Sequence, residues 1–166
     1  MIKVTELKEA RPTVRYQNGN ITLPMLREVL ENCAEKMMIP VAFKMDEVVA
    51  GTKRKDGVEE CLVMYHPEHE KDYVKFCIRV KKQGIYAFVS VHEYGQSKFL
   101  RRDKVINGAS MGAVAGGLLS ANVASAVAGL AVGSLLKKKV SPNQFKVEEE
   151  KNYYACISAV FDEVIS

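Results

Sequence analysis

Four cysteines, Cys33, Cys61, Cys77 and Cys156, stand at spacings that match no zinc or redox motif. That excludes the common cysteine-based metal frameworks. Each falls in a stretch that reads as regular structure, so all four are expected as reduced side chains suited to burial, in keeping with the cytoplasm. A phosphate loop is also missing: Gly112-Ala113-Val114-Ala115-Gly116-Gly117 lacks the lysine and hydroxyl that would hold a phosphate and its Mg²⁺. No local signature marks a nucleophile, base and acid acting together. Met1-Ile2-Lys3-Val4 has neither the apolar run nor the cleavage site of a signal peptide, so any membrane segment is expected inside the chain. The sharpest absence is internal. Between Gly108 and Leu136 there is no charge and no proline.

What is present is otherwise ordinary. A chain of 166 residues accommodates one domain, or one domain with an appendage, and can bury a core without disulfides or metal. Charged residues are 27% and hydrophobic residues 48%, the balance of a globular protein. The net charge of +4 permits contact with anionic lipid or nucleic acid without demanding it.

Thr13-Val14-Arg15-Tyr16 reads as a short strand closed by the turn signal Asn18-Gly19. A helix is predicted from an N-cap at Thr22, with Pro24 in its first turn and Leu26, Val29, Leu30, Cys33 and Met37 on its apolar face. It ends before Pro40. An antiparallel meander follows. Val41, Phe43 and Met45 alternate with polar residues, Gly51–Gly57 forms a loop, and Cys61–His66 is apolar on both faces. Val74, Phe76, Ile78 and Val80 alternate with Lys75, Cys77, Arg79 and Lys81, which predicts one buried face and one solvated basic face. Lys82-Gln83-Gly84 turns into the strand Ile85–Tyr94, and 98–105 is a further short strand by the same reading. A last amphipathic helix carries Val147, Tyr154, Ile157, Val160, Phe161 and Val164. The predicted fold is α+β: an antiparallel sheet of four or five strands covered by amphipathic helices, formed by 1–106 with 140–166, and an inserted Gly/Ala-rich helical hairpin at 107–139.

Residues 108–136 comprise eight Ala, six Gly, four Ser, nine Leu or Val, one Asn and one Met. Steps of four from Gly108 reach Gly112, Gly116 and Ser120; steps of four from Ala109 reach Gly117, Ala121, Ser125, Gly129 and Gly133. In a helix these adjacent rows make one face of small side chains. Glycine in a helix costs about 0.8–1 kcal/mol relative to alanine, a cost retained where backbones must approach closely. The repeat of Gly108, Gly112 and Gly116 resembles the glycine-zipper segments of membrane-inserting proteins. The resemblance is confined to this segment and implies close helix packing, not a homologue.

One straight helix of this length would span roughly 44 Å, more than the ~30 Å hydrocarbon core. Its Leu and Val supply only roughly −3 to −5 kcal/mol toward insertion, and Asn122 opposes them. Arg101, Arg102 and Lys104 precede the segment, and Lys137, Lys138 and Lys139 follow it. Basic residues at both ends favour a hairpin that bends near Ser120-Ala121-Asn122 with both flanks on the cytosolic side. Those six residues are the expected contacts to anionic lipid, at about 1 kcal/mol each near the surface.

Tyr65-His66-Pro67-Glu68-His69-Glu70 contains metal-ligand chemistry but reads as a solvated hairpin loop, and no metal or cofactor is assigned to it. His92, in a strand beside Glu93, reads as structural. Lys53-Arg54-Lys55, Arg79, Lys81, Lys82 and Lys98, with Tyr73 and Tyr86 nearby, hold the residue types of a nucleic-acid surface, but charge runs of this kind are ordinarily solvated loops. The leading expectation is a non-enzymatic protein that associates with membrane or with itself through 108–136. Its placement would be cytoplasmic, peripheral or re-entrant at the membrane's cytoplasmic face. The alternative is a soluble binding or scaffold module with that segment buried in its core or at a homo-oligomer interface.

Overall fold

A computed structural model of the protein describes residues 1–51, 53–100 and 144–166. Their regular elements are β1 (Ile2–Lys3), β2 (Lys8–Tyr16), α1 (Leu23–Lys36), β3 (Ala42–Val49), β4 (Val58–Tyr65), β5 (Lys75–Gln83), β6 (Tyr86–Tyr94) and α2 (Gln144–Val164). Short 3₁₀ turns occupy Val4–Glu6 and Arg54–Asp56. The class is α+β, as expected. The sheet differs: it has six strands in the order β1-β3-β4-β5-β6-β2, and it is mixed because β1 runs parallel to β3. The strand read at Thr13–Tyr16 extends back to Lys8, and Lys98–Leu100 is not a strand. The expected helical hairpin lies outside the described residues.

β3 to β6 form the antiparallel meander that alternation implies. The N-terminal segment closes it at both edges. Ile2 pairs with Val48 of β3, and Lys8 pairs with Glu93 of β6. Only Val4–Leu7 separate β1 from β2. Across a flat sheet those two strands would stand five spacings, roughly 24 Å, apart. Five Cα steps reach at most about 18 Å, so the sheet must curl. β2 takes its bends through register shifts on either side of Arg11, next to Pro12, which has no N–H to lose from a ladder.

The two sheet faces have different covers. On one, Leu62, Met64, Phe76, Ile78, Val89 and Val91 meet Leu26, Leu30 and Ala34 of α1 and Ile157, Val160 and Phe161 of α2. On the other, Cys61, Val63 and Cys77 pack with Ile2, Val48 and Leu7. This second face was expected to be solvated and basic. It is instead a small core beneath the N-terminal strap, and Arg79 on it is half-buried and bonded to Glu59 at 2.7 Å. Cys61 and Cys77 are buried as expected, Cys33 is half-buried, and Cys156 is exposed, which corrects its placement in the core. All four are free thiols.

The first helix follows its sequence signals closely. Thr22 Oγ1 accepts the Met25 N–H, and Pro24 sits in the first turn. Its buried stripe is Leu23, Leu26, Leu30 and Ala34, while Val29 and Met37, expected inward, are on the exposed side. The helix closes with Ile39 N–H bonded to Ala34 O and Met38 N–H to Glu35 O. That double closure is the Schellman geometry, and it forces Met38 to φ 59°. A side chain in the left-handed region costs about 1–2 kcal/mol, which glycine avoids. Because the Met38 side chain is 89% exposed, its removal forfeits little packing. Met38→Gly should therefore raise stability by about 0.5–1 kcal/mol in urea denaturation. An unchanged or lower midpoint would contradict this account of the helix end.

Candidate functional site at the root of the 101–143 segment

Three pieces of chain converge where the 101–143 segment leaves and rejoins the described domain: the 66–73 turn, the 95–100 loop and the first half of α2. The turn is wound by its own backbone. His69 N–H bonds His66 O, and Asp72 and Tyr73 N–H both bond His69 O. Lys98 N–H then bonds Asp72 O at 2.8 Å, tying the 95–100 loop to the turn. Ser97 Oγ accepts the Leu100 N–H at 2.8 Å, and Leu100 is buried in the main core. From the other side, Lys146 of α2 places its ammonium 5.6 Å from the centre of the Phe99 ring.

Inside this junction lies an aromatic and histidine cluster. His69 stacks on Tyr73 with centroids 4.1 Å apart, and His66 lies 4.7 Å from both His69 and Tyr153. Tyr153 donates to Pro40 O at 2.9 Å, which ties α2 to the chain leaving α1. His66 Nδ1 accepts the Glu68 N–H, and His69 Nδ1 stands 3.5 Å from the Asp72 carboxylate. The sequence reading left these histidines in a solvated loop; they are half-buried against tyrosine instead. Among the described residues, no three His, Cys, Asp or Glu side chains are arranged to hold a metal ion.

Glu150 is the unusual group. Its side chain is fully buried, and its Oε2 accepts the Tyr154 hydroxyl proton. The same hydroxyl accepts the Val74 N–H at 2.8 Å, so one phenol joins α2 to the start of β5. Ser97 and the Phe99 N–H lie near the carboxyl, but Glu150 Oε1 has no hydrogen bond of good geometry. Burial holds the Glu150 carboxyl above its ordinary value, against the opposing influence of nearby Ser97 and of the hydrogen bond from Tyr154. Burial, then the neighbouring His69, holds His66 below its ordinary value. Burial, followed by Glu149 and Glu150, pushes Tyr73 up to about 12.

Glu150 Oε2 and the Tyr154 hydroxyl pair within the core, and the bonds of this junction tie α2 to the start of β5 and to the chain leaving α1. His92 lies in β6 opposite Cys77 and is half-buried. A surface hollow of about 320 Å³ near the start of α1 is lined by Glu59, Glu60, Lys81 and Lys82, but Glu59 is already paired with Arg79 and Lys81.

The residues expected to pack helices (Gly108, Gly112, Gly116, Gly117, Ser120, Ala121, Ser125, Gly129 and Gly133) lie outside the described residues. So do the expected lipid contacts Arg101, Arg102, Lys104, Lys137, Lys138 and Lys139. What the structure brings together is the chain on either side of them. Sequence reasoning missed that junction. The usable signal was the spacing of Glu150 and Tyr154, which four residues place on one helix face, with an adjacent Tyr153. No family model matches the chain, and neither a curated protein nor a solved structure matches it.

Because Glu150 is raised in the fold, its contribution to stability is present below its ordinary value near 4.5 and is lost as pH rises through the folded value. Glu150→Gln keeps the shape and removes the titration. His66 acts with the opposite sign, losing stability as pH falls below its ordinary value, but it is common to both proteins. The stability of the variant relative to wild type should therefore increase steadily from pH 4 to pH 8 in urea denaturation. A pH-independent difference would contradict the buried-carboxyl account.

Proposed function

We propose that the protein is a non-enzymatic membrane-associating or self-assembling protein. In this reading 108–136 makes close helix–helix contact, and the flanking basic residues hold anionic lipid. The observation that carries the reading is the meeting of the two flanks. Phe99 and Leu100 on one side, and Lys146 and Glu150 on the other, belong to one clamped junction. A single bilayer crossing would leave its flanks on opposite sides of the membrane. Flanks that meet require an out-and-back path, which supports a re-entrant hairpin bending near Ser120-Ala121-Asn122. Each arm would then be roughly 20 Å long, short of a full crossing.

Among the described residues no helix is long and apolar enough to cross a membrane, so the reading places lipid contact in 101–143 and its borders. The described sheet and helices form an apolar core of their own residues, with Phe76, Ile157 and Phe161 at its centre. That division of labour makes the segment separable. Replacing 101–143 by a short Gly/Ser linker should leave a cooperatively folded domain. The shortened protein should lose flotation with anionic vesicles and lose self-association in sedimentation, both of which the full chain should show. A full chain that remains monomeric and ignores vesicles would overturn the proposal. So would a shortened protein that floats and assembles as well as the full one.

A further inference from the structure

Tyr86 and Phe88 stand two residues apart in β6, so both lie on the second face of the sheet, the face of Cys77 and His92. Their ring centres are 6.5 Å apart. Both rings are half-buried, and among the described residues neither packs into the main core or into the small core under the strap. Cations flank them from both neighbouring strands. Phe88 pairs with Lys81 of β5 and with Arg15 of β2, and both of these are exposed. The Arg15 guanidinium lies 4.8 Å from the centre of the Tyr86 ring. Arg79, two residues before Lys81, shares the face. Among the described residues, the carboxylate that bonds these cations is Glu59 of β4, at 2.7 Å from Arg79 and 3.1 Å from Lys81. Glu9 pairs with His92, toward the other end of β6. The strands are otherwise acid-free: no Asp or Glu occurs from Ala10 to Arg27 or from Tyr73 to His92. Arg15, Arg79 and Lys81 thus outnumber the one carboxylate among them, and the surplus positive charge lies alongside the rings.

We infer that Tyr86, Phe88, Arg15 and Lys81 form a stacking platform for single-stranded nucleic acid. The rings take bases, and Arg15 and Lys81 take phosphates. Alternate side chains of a strand stand about 6.8 Å apart, which leaves each ring free to take its own base. Every base has a π-face, so such a surface needs no particular sequence. A guanidinium laid on a tyrosine ring extends that surface, because it stacks on flat partners as well as carrying charge. Half-buried rings do not reach into an acyl layer, whereas a base needs only an open ring face beside a cation. Bases in a duplex are already stacked on one another, so the platform selects single strands. This inference goes beyond the reading of 108–136 and stands or falls without it, since it rests on β2, β5 and β6 alone.

The test titrates the full-length protein into short fluorescein-labelled single strands of mixed sequence, one RNA and one DNA, and reads anisotropy. Tyr86→Leu and Phe88→Leu keep apolar bulk but remove the ring, and each should weaken binding by roughly 10-fold. Arg15→Gln, at an exposed side chain, should lower the slope of log affinity against log salt by about 0.7, and it keeps the test open where a ring variant unfolds. Urea denaturation checks that each variant is folded. A duplex of the same sequence should bind more weakly than either single strand. A preference for RNA or for DNA supports the platform and identifies the sugar it accepts. Absence of binding would overturn the inference, as would variants that bind like wild type, which would place the strand on other basic residues. Heparin or duplex bound as tightly, with no effect of the ring variants, would show attraction of charge alone and overturn the stacking role. Arg15→Gln with Lys81→Gln losing flotation with anionic vesicles, in a protein that binds no oligonucleotide, would assign the face to lipid instead.

Discussion

The fold depends on the N-terminal strap. One short stretch of chain pairs with β3 at its beginning and with β6 at its end, and the few residues between cannot reach across a flat sheet. The meander must therefore curl toward the strap. Curling gives the sheet a second core, where Cys61, Val63 and Cys77 pack under Ile2 and Leu7. Arg11 of β2 fastens the strap to α2 through Asp162, Ser158 and the face of Phe161. Sheet closure and helix placement are thus one constraint.

That constraint fixes the site at the far end of α2. With Ile157, Val160 and Phe161 held in the core, the earlier turns of the helix extend over the 66–73 turn, where Tyr153, Tyr154 and Glu150 meet it. The junction joins groups far apart in the chain: Pro40, Val74, Ser97 and α2. A buried carboxyl is costly unless it is hydrogen-bonded. Glu150 is bonded by one oxygen only, so the junction holds an intrinsically weak point within a well-packed surround. Rigid flanks at the root give the glycine-rich segment a defined point of departure and return, whatever it meets beyond.

Much of the fold was legible because it is written locally. The Thr22 cap, the i, i+3, i+4 stripe of α1, the alternation of β5, the β-branched and aromatic content of β6 and the apolar face of α2 each depend on neighbours within a few residues. β1 and the first half of β2 were not legible. Lys8-Glu9-Ala10-Arg11-Pro12 is polar and interrupted by proline, and it becomes strand only because β6 offers it an edge. The partial burial of Arg79 was misread for the same reason: alternation identifies two faces but not a cover supplied from seventy residues away. The site was half legible. Its apolar segment and basic borders stand out in composition, whereas the meeting of His66, His69, Tyr73 and Tyr153 arises only from long-range packing.

The central claim is that the chain on either side of 101–143 is clamped together by the domain itself. The direct measurement is thiol cross-linking between Lys98→Cys and Lys146→Cys in a Cys156→Ser background, using a short bifunctional maleimide, with and without anionic vesicles. Both residues reach the same Phe99 ring. The account requires efficient intramolecular cross-linking in both conditions, with the folded domain retained. Cysteines that fail to cross-link in the folded protein, or that separate when it binds vesicles, would contradict it.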